Sequence, residues 1–139
     1  MERTPIRGVP KRVLNQIRDL LSSAKRRPAK YSAYCDETGI TQNVQSGANI
    51  ESIQFAWNQV VSVFAYKRDC FAVDQICLII ETSDLNRYIE VREEDEGYER
   101  LIEQLPKILN GFPTQEEWLE RVALPPFETQ WKQLYGRKS

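Results

Sequence analysis

Two short stretches, Val60–Tyr66 and Gln75–Glu81, carry apolar side chains on both of their faces. In the first, Val61, Val63 and Ala65 point one way and Val60, Phe64 and Tyr66 the other. In the second, Ile76, Leu78 and Ile80 oppose Cys77 and Ile79. A strand can bury such a pattern only if something covers it on each side. The segment between them, Lys67–Asp74, is shorter than the roughly dozen residues a parallel crossover needs, so the pair must be antiparallel.

The same logic extends outward. Lys30–Cys35 alternates around Tyr31, Ala33 and Cys35, and Asp36-Glu37-Thr38-Gly39 reads as a hairpin turn into Ile40, Gln42 and Val44. Gln45–Asn49 is a second turn, after which Ile50–Trp57 alternates with Ile53, Phe55 and Trp57 on one face. Trp57-Asn58-Gln59 marks a bend. Thr82–Asn86 turns the chain into a last strand over Arg87–Val91.

Helical spacing appears on both flanks. Val13, Leu14, Ile17, Leu20, Leu21 and Ala24 follow the i, i+3, i+4 rule from Pro10 onward. Lys25-Arg26-Arg27 then favours a helix C-terminus, and Pro28 stops it. A second helix is expected over Glu94–Leu109, with carboxylates at its start and Tyr98, Leu101, Ile102, Leu105, Ile108 and Leu109 inward. Thr114-Gln115-Glu116-Glu117 has the form of a capping box for a third, short helix. Phe127, Trp131, Leu134 and Tyr135 make the tail too aromatic to stay in solvent, so it should dock or add a helical turn.

The resulting expectation is one α+β domain over 1–139: an amphipathic helix (10–27), antiparallel strands (30–92), a helix (94–109), then a short helix and aromatic tail (114–135). The sheet is expected to be single, strongly bent and of about six strands. At 139 residues such a chain buries enough surface to fold without metal or disulfide. Its three cysteines, Cys35, Cys70 and Cys77, form no C-x-x-C pair and read as small buried side chains.

Meandering strands followed by one amphipathic helix over Lys30–Leu109, with Trp57-Asn58-Gln59-Val60-Val61 ahead of the fourth strand, resemble the pleckstrin-homology-like superfold. In that superfold, lipid-binding members place basic residues around the first hairpin. Here that hairpin is acidic, and the superfold hosts many functions.

Catalytic chemistry finds little support. The sequence has no histidine, so Cys-His and Ser-His-Asp arrangements are impossible within one chain. No G-x-G-x-x-G or G-x-x-x-x-G-K-S/T motif occurs, and no cofactor is expected. The run Glu93-Glu94-Asp95-Glu96 lacks the spacing and turn glycine of a calcium loop.

Charge is unevenly spread. Residues 1–30 carry nine Lys/Arg against Glu2 and Asp19, a net of +7, and the remainder carries −8. A basic helix on an otherwise acidic chain argues against nucleic acid, and no apolar run exceeds Ile76–Ile80, so no membrane span is expected. The first residues lack the apolar core of a secretory signal, which fits a cytoplasmic, bacterial-style protein. Its opposite charges suit self-association.

The leading expectation is therefore a non-enzymatic interaction or scaffold domain that associates with a protein partner, a second copy included. Two alternatives follow from particular residues. An acidic inhibitor or immunity-type protein would meet a basic partner through Glu93, Glu94 and Glu96. A ligand-binding module or enzyme would use the hairpin tip, where Lys67, Arg68, Asp69, Cys70, Phe71 and Asp74 crowd together.

Overall fold

The computed structural model describes residues 29–69, 74–84, 87–123 and 131–136; at Arg68, Asp69, Asp74 and Trp131 it describes the backbone only. The helix expected over 10–27 lies outside the described residues, as do Cys70 and Phe71.

The described chain runs β1 (Lys30–Cys35), β2 (Gly39–Ser46), β3 (Asn49–Ala56), a 3-10 turn (Trp57–Gln59), β4 (Val60–Asp69), β5 (Asp74–Thr82), β6 (Tyr88–Arg92), α1 (Tyr98–Ile108), α2 (Gln115–Ala123) and β7 (Trp131–Gly136). The fold is α+β, and every strand pair is antiparallel. The strands form two sheets, β1-β2-β3 and β6-β5-β4-β7, rather than one bent sheet of six.

The break falls where the sequence suggests a bend. The chain leaves β3 through the 3-10 turn, whose Gln59 side chain accepts the Ala56 N–H at 2.9 Å, and its ladder with β2 is not continued by β4. The indole N–H of Trp57, expected to prolong the strand, donates instead to the Asp36 carbonyl at 2.7 Å and ties this corner to the first hairpin. Asp36 Oδ1 accepts from the Thr38 and Gly39 backbone N–H groups at 2.8 and 3.1 Å, an Asx-type turn.

The tail is the second departure. It adds neither a helical turn nor a loose docked segment but pairs β7 with β4, completing the four-stranded sheet. An open β4 edge next to an alternating Trp131–Gly136 segment favours the ladder, because its backbone groups then find partners. Both described helices therefore lie between the sixth and seventh strands in chain order.

The inner face of the four-stranded sheet carries Val63, Ala65, Ile76, Leu78, Ile80, Ile89, Val91 and Leu134. These pack with Ala33, Ile40 and Phe55 of the other sheet, Leu101, Ile102 and Leu105 of α1, and Trp118 and Val122 of α2 in one core. Each fully buried Leu or Ile here contributes roughly 1.5–3 kcal/mol. Helix α1 starts at Tyr98, four residues later than expected, because Glu93–Glu96 is spent on a turn. The Asp95 carboxylate accepts the Arg92 N–H at 2.9 Å, and Glu96 bridges to β1 through Ala33 N–H to Glu96 O at 3.0 Å. Gly97 permits this approach. Its φ is +91°, and a Cβ there would sit 2.0 Å from the Ala33 carbonyl oxygen.

Pro106 lies in the last turn of α1, and the helix ends two residues later, at Ile108. At α2 the Glu117 side chain accepts the Thr114 N–H at 2.8 Å, which is the reciprocal half of the expected capping box. Neither described helix is long and apolar enough to cross a membrane.

Candidate functional site

The residues singled out in the sequence do not converge on one site. Lys67 sits on the inner face of β4, fully buried, and its ammonium donates to the Ala123 carbonyl at the end of α2 at 3.0 Å. It anchors α2 instead of reaching toward a partner, a correction to its expected place on a solvent-facing tip. The strands continue further than the tip reading assumed: Lys67 pairs with Ile76, Arg68 with Gln75 and Asp69 with Asp74. Burial of the Lys67 stem among apolar side chains follows from strict alternation, which puts it in line with Val63 and Ala65. Cys70 and Phe71 lie outside the described residues.

Glu93, Glu94 and Glu96 are exposed in the turn before α1. Each has local work. Glu93 Oε1 accepts the Ile76 N–H at 3.0 Å, Glu94 lies 3.9 Å from the Arg92 guanidinium, and Glu96 pairs with Lys30 at 3.7 Å. The Glu96–Lys30 pair is more than two-thirds exposed and therefore weak. The nearby Glu81 and Glu90, on β5 and β6, are buried and lost to any surface contact.

A polar network that the sequence reading missed lies on the outer face of the four-stranded sheet. Tyr66, Cys77, Glu90 and Arg92 stand side by side, since Tyr66 pairs with Cys77 and Cys77 with Arg92. The Tyr66 hydroxyl donates to Glu90 Oε1 at 3.0 Å, and Arg92 Nε donates to the same oxygen at 2.9 Å. Burial works against the Arg92 charge, but the hydrogen bond and charge of Glu90 outweigh it and raise the guanidinium pKa. Burial, then the neighbouring Cys77 and Glu90, push the Tyr66 phenol upward, so it stays protonated and remains a donor. One signal was available: Glu90 and Arg92 alternate with Ile89 and Val91, which places both charges on the face of Tyr66 and Cys77 once the register is known.

Elsewhere, burial raises the Cys35 thiol pKa to about 11, with Asp36 adding to the effect, so this cysteine is a poor nucleophile at neutral pH. Among the described residues no group of three or more His, Cys, Asp or Glu side chains is arranged to hold a metal ion.

A further backbone feature is β3. It is an edge strand whose partner among the described strands is β2 alone. Eight consecutive pairs, Gly39–Ala56 through Ser46–Asn49, hold it without a bulge. Its sequence, Asn-Ile-Glu-Ser-Ile-Gln-Phe-Ala, contains one charge and neither lysine nor proline. Ile50 is 63% exposed. Natural edge strands are commonly blunted by lysine, proline or a bulge, and β3 has none of these.

No family model matches the chain, and no curated protein or solved structure matches it.

Proposed function

We propose that this is a non-catalytic protein-interaction domain that self-associates by pairing β3 with β3 of a second copy. The edge of β3 that no described strand pairs supports this reading most directly: eight residues, unbroken register and no protective charge beyond Glu51. Pairing two such edges antiparallel about a two-fold axis satisfies the outward N–H and C=O groups of both chains and brings the exposed Ile50 side chains of the two copies into the contact. The absence of histidine from the sequence and the burial of Tyr66, Cys77, Glu90 and Arg92 fit a role without catalysis.

Sedimentation velocity across a concentration series tests the proposal. The expected result is a dimer in the wild-type chain and a monomer, with unchanged circular dichroism, in Ile50→Lys/Ser52→Lys. Like charges would then face one another across the two-fold. A wild-type chain that remains monomeric at the highest concentration would remove self-association.

A second reading rests on the exposure of Glu93, Glu94 and Glu96 beside Glu99 and Glu103 of α1. This acidic rim would suit a basic protein partner. Binding to such a partner should fall when Glu93, Glu94 and Glu96 are reversed to lysine, and the rim plays no part if affinity is unchanged.

A further inference from the structure

We infer, resting on the β3 pairing proposed above, that the two-fold axis lies between the Ser52 residues of the two copies, so that Ile50 of each copy faces Gln54 of the other, and that the assembly closes at two. Three observations carry this: the direction of each backbone group along β3, the place where Gln59 ends the edge, and the state of the other edge strands.

In an antiparallel ladder the N–H and C=O of one residue point to the same side, and successive residues alternate. At the β1 edge, the Ala33 N–H donates to the Glu96 carbonyl at 3.0 Å and the Tyr31 carbonyl accepts the Glu96 N–H at 3.4 Å. Tyr31 and Ala33 therefore point away from β2, and Ser32 and Tyr34 point toward it. Their partners Asn43 and Thr41 point back at β1, which leaves Gln42 and Val44 pointing at β3. Opposite these two, Ile53 and Glu51 point at β2. The outward groups of β3 thus belong to Ile50, Ser52 and Gln54. Ala56 is next in that series, and its N–H donates to the Gln59 side chain at 2.9 Å. That bond agrees with the alternation and ends the available edge at Gln54.

The outward residues select one register. With Ser52 opposite Ser52, the pairs Ile50–Gln54, Ser52–Ser52 and Gln54–Ile50 each exchange two hydrogen bonds. The Ile50 side chain, 63% exposed in a single copy, then lies against Gln54 of the other, and Glu51 faces Ile53. Moving the axis to Glu51 loses one pair and sets Glu51 against Glu51, like charges at a position where side chains stand closest. Moving it to Ile53 drives Ile50 onto the position at Ala56 that Gln59 occupies. The other described edges do not compete. The outward groups of β1 at Tyr31 and Ala33 are bonded to Glu96. At β6 the Glu90 carbonyl accepts from Gln42 Nε2 at 2.6 Å, and the Arg92 N–H donates to Asp95 at 2.9 Å. Strand β7 carries Lys132 and a bulge between its pairs with Val63 and Phe64, both of which blunt an edge. A two-fold contact through β3 uses that strand in both copies, and among the described residues no bare edge remains for a third.

Disulfide trapping in the full chain reads the register, and sedimentation velocity reads the contact beneath it. The Cα atoms of a hydrogen-bonded pair lie about 5.5 Å apart, within disulfide reach. Under mild oxidation Ser52→Cys should give about tenfold or more covalent dimer above the wild-type background, and Glu51→Cys little. Mixing Ile50→Cys with Gln54→Cys should give the heterodimer, and mixing Ile50→Cys with Ser52→Cys far less. Without added thiols, Ile50→Lys/Gln54→Glu should still sediment as a dimer, because opposite charges meet, and Ile50→Lys/Gln54→Lys as a monomer. If the wild-type chain is dimeric but Glu51→Cys, or Ile50→Cys with Ser52→Cys, is trapped instead, the register is overturned and β3 pairing stands. A monomeric wild-type chain overturns both. Species that grow past the dimer with concentration overturn the closure at two. If a cysteine variant loses its circular dichroism, the two charge variants decide.

Discussion

The pair Glu90–Arg92 can be taken apart quantitatively. Its side chains are 8% and 7% exposed, with Nε and Oε1 2.9 Å apart, so both charges have lost almost all their water. Replacing Glu90 by leucine leaves the Arg92 guanidinium buried with, among the described residues, the exposed Glu94, 3.9 Å away, to offset it, and removes an acceptor of the Tyr66 hydroxyl. Breaking one side of a buried pair costs about 3–5 kcal/mol. With a urea slope near 2 kcal/mol per molar, the midpoint should fall by about 1.5–2.5 M. Glu90→Leu/Arg92→Met removes both charges. It should recover most of that loss and retain a deficit of about 1–3 kcal/mol for the lost Tyr66–Glu90 hydrogen bond. Adding Tyr66→Phe should close the remainder. Equilibrium urea unfolding followed by tryptophan emission supplies the full cycle. The reasoning fails if Glu90→Leu shifts the midpoint by less than about 0.5 M, or if the two single losses simply add in the double variant.

Three further outcomes can be measured the same way. The Tyr98 hydroxyl is buried without a hydrogen-bond partner among the described residues, so Tyr98→Phe should be neutral or stabilising by about 1–2 kcal/mol, where most core substitutions cost. Gly97→Ala should lower stability by more than about 1 kcal/mol, since it combines a φ of +91° with a Cβ driven into the Ala33 carbonyl, and a null result in urea would count against that turn. The Cys35 thiol, with a pKa raised from 9.0 to about 11 by burial, binds its proton more tightly folded than unfolded. Its stabilising contribution is therefore intact below pH 9 and drains as pH rises toward 11. Cys35→Ala should show a shallower fall in midpoint across that window than wild type, and identical slopes would refute the assignment.

Much of the strand order was legible because alternation is a local property. The sides on which Val63, Ala65, Ile76, Leu78 and Ile80 point can be read from spacing alone, and all five lie in the core. The bend at Trp57-Asn58-Gln59 was legible as well, but not its consequence. Whether a ladder continues through a bend or starts a second sheet depends on where the other strands stand. Lys67 was misread for a related reason. Side-chain type suggests solvent, while register puts the residue beside Ala65, and register wins because the Ala123 carbonyl is within reach of the ammonium. The outer-face network was invisible for want of pairing: Glu90 and Tyr66 are 24 positions apart and meet only across β5.

From sequence alone came the periods, and with them antiparallel strands, the apolar face of the helix that follows β6, and a chain without histidine chemistry. The three-dimensional arrangement alone decided that the strands divide into two sheets, that Trp131–Gly136 joins β4, and that Glu90 and Arg92 share a buried contact. The physical reason is that a period tells a side chain which way to face, whereas the partner it meets is chosen by long-range pairing, in which backbone hydrogen bonds and buried area are won together.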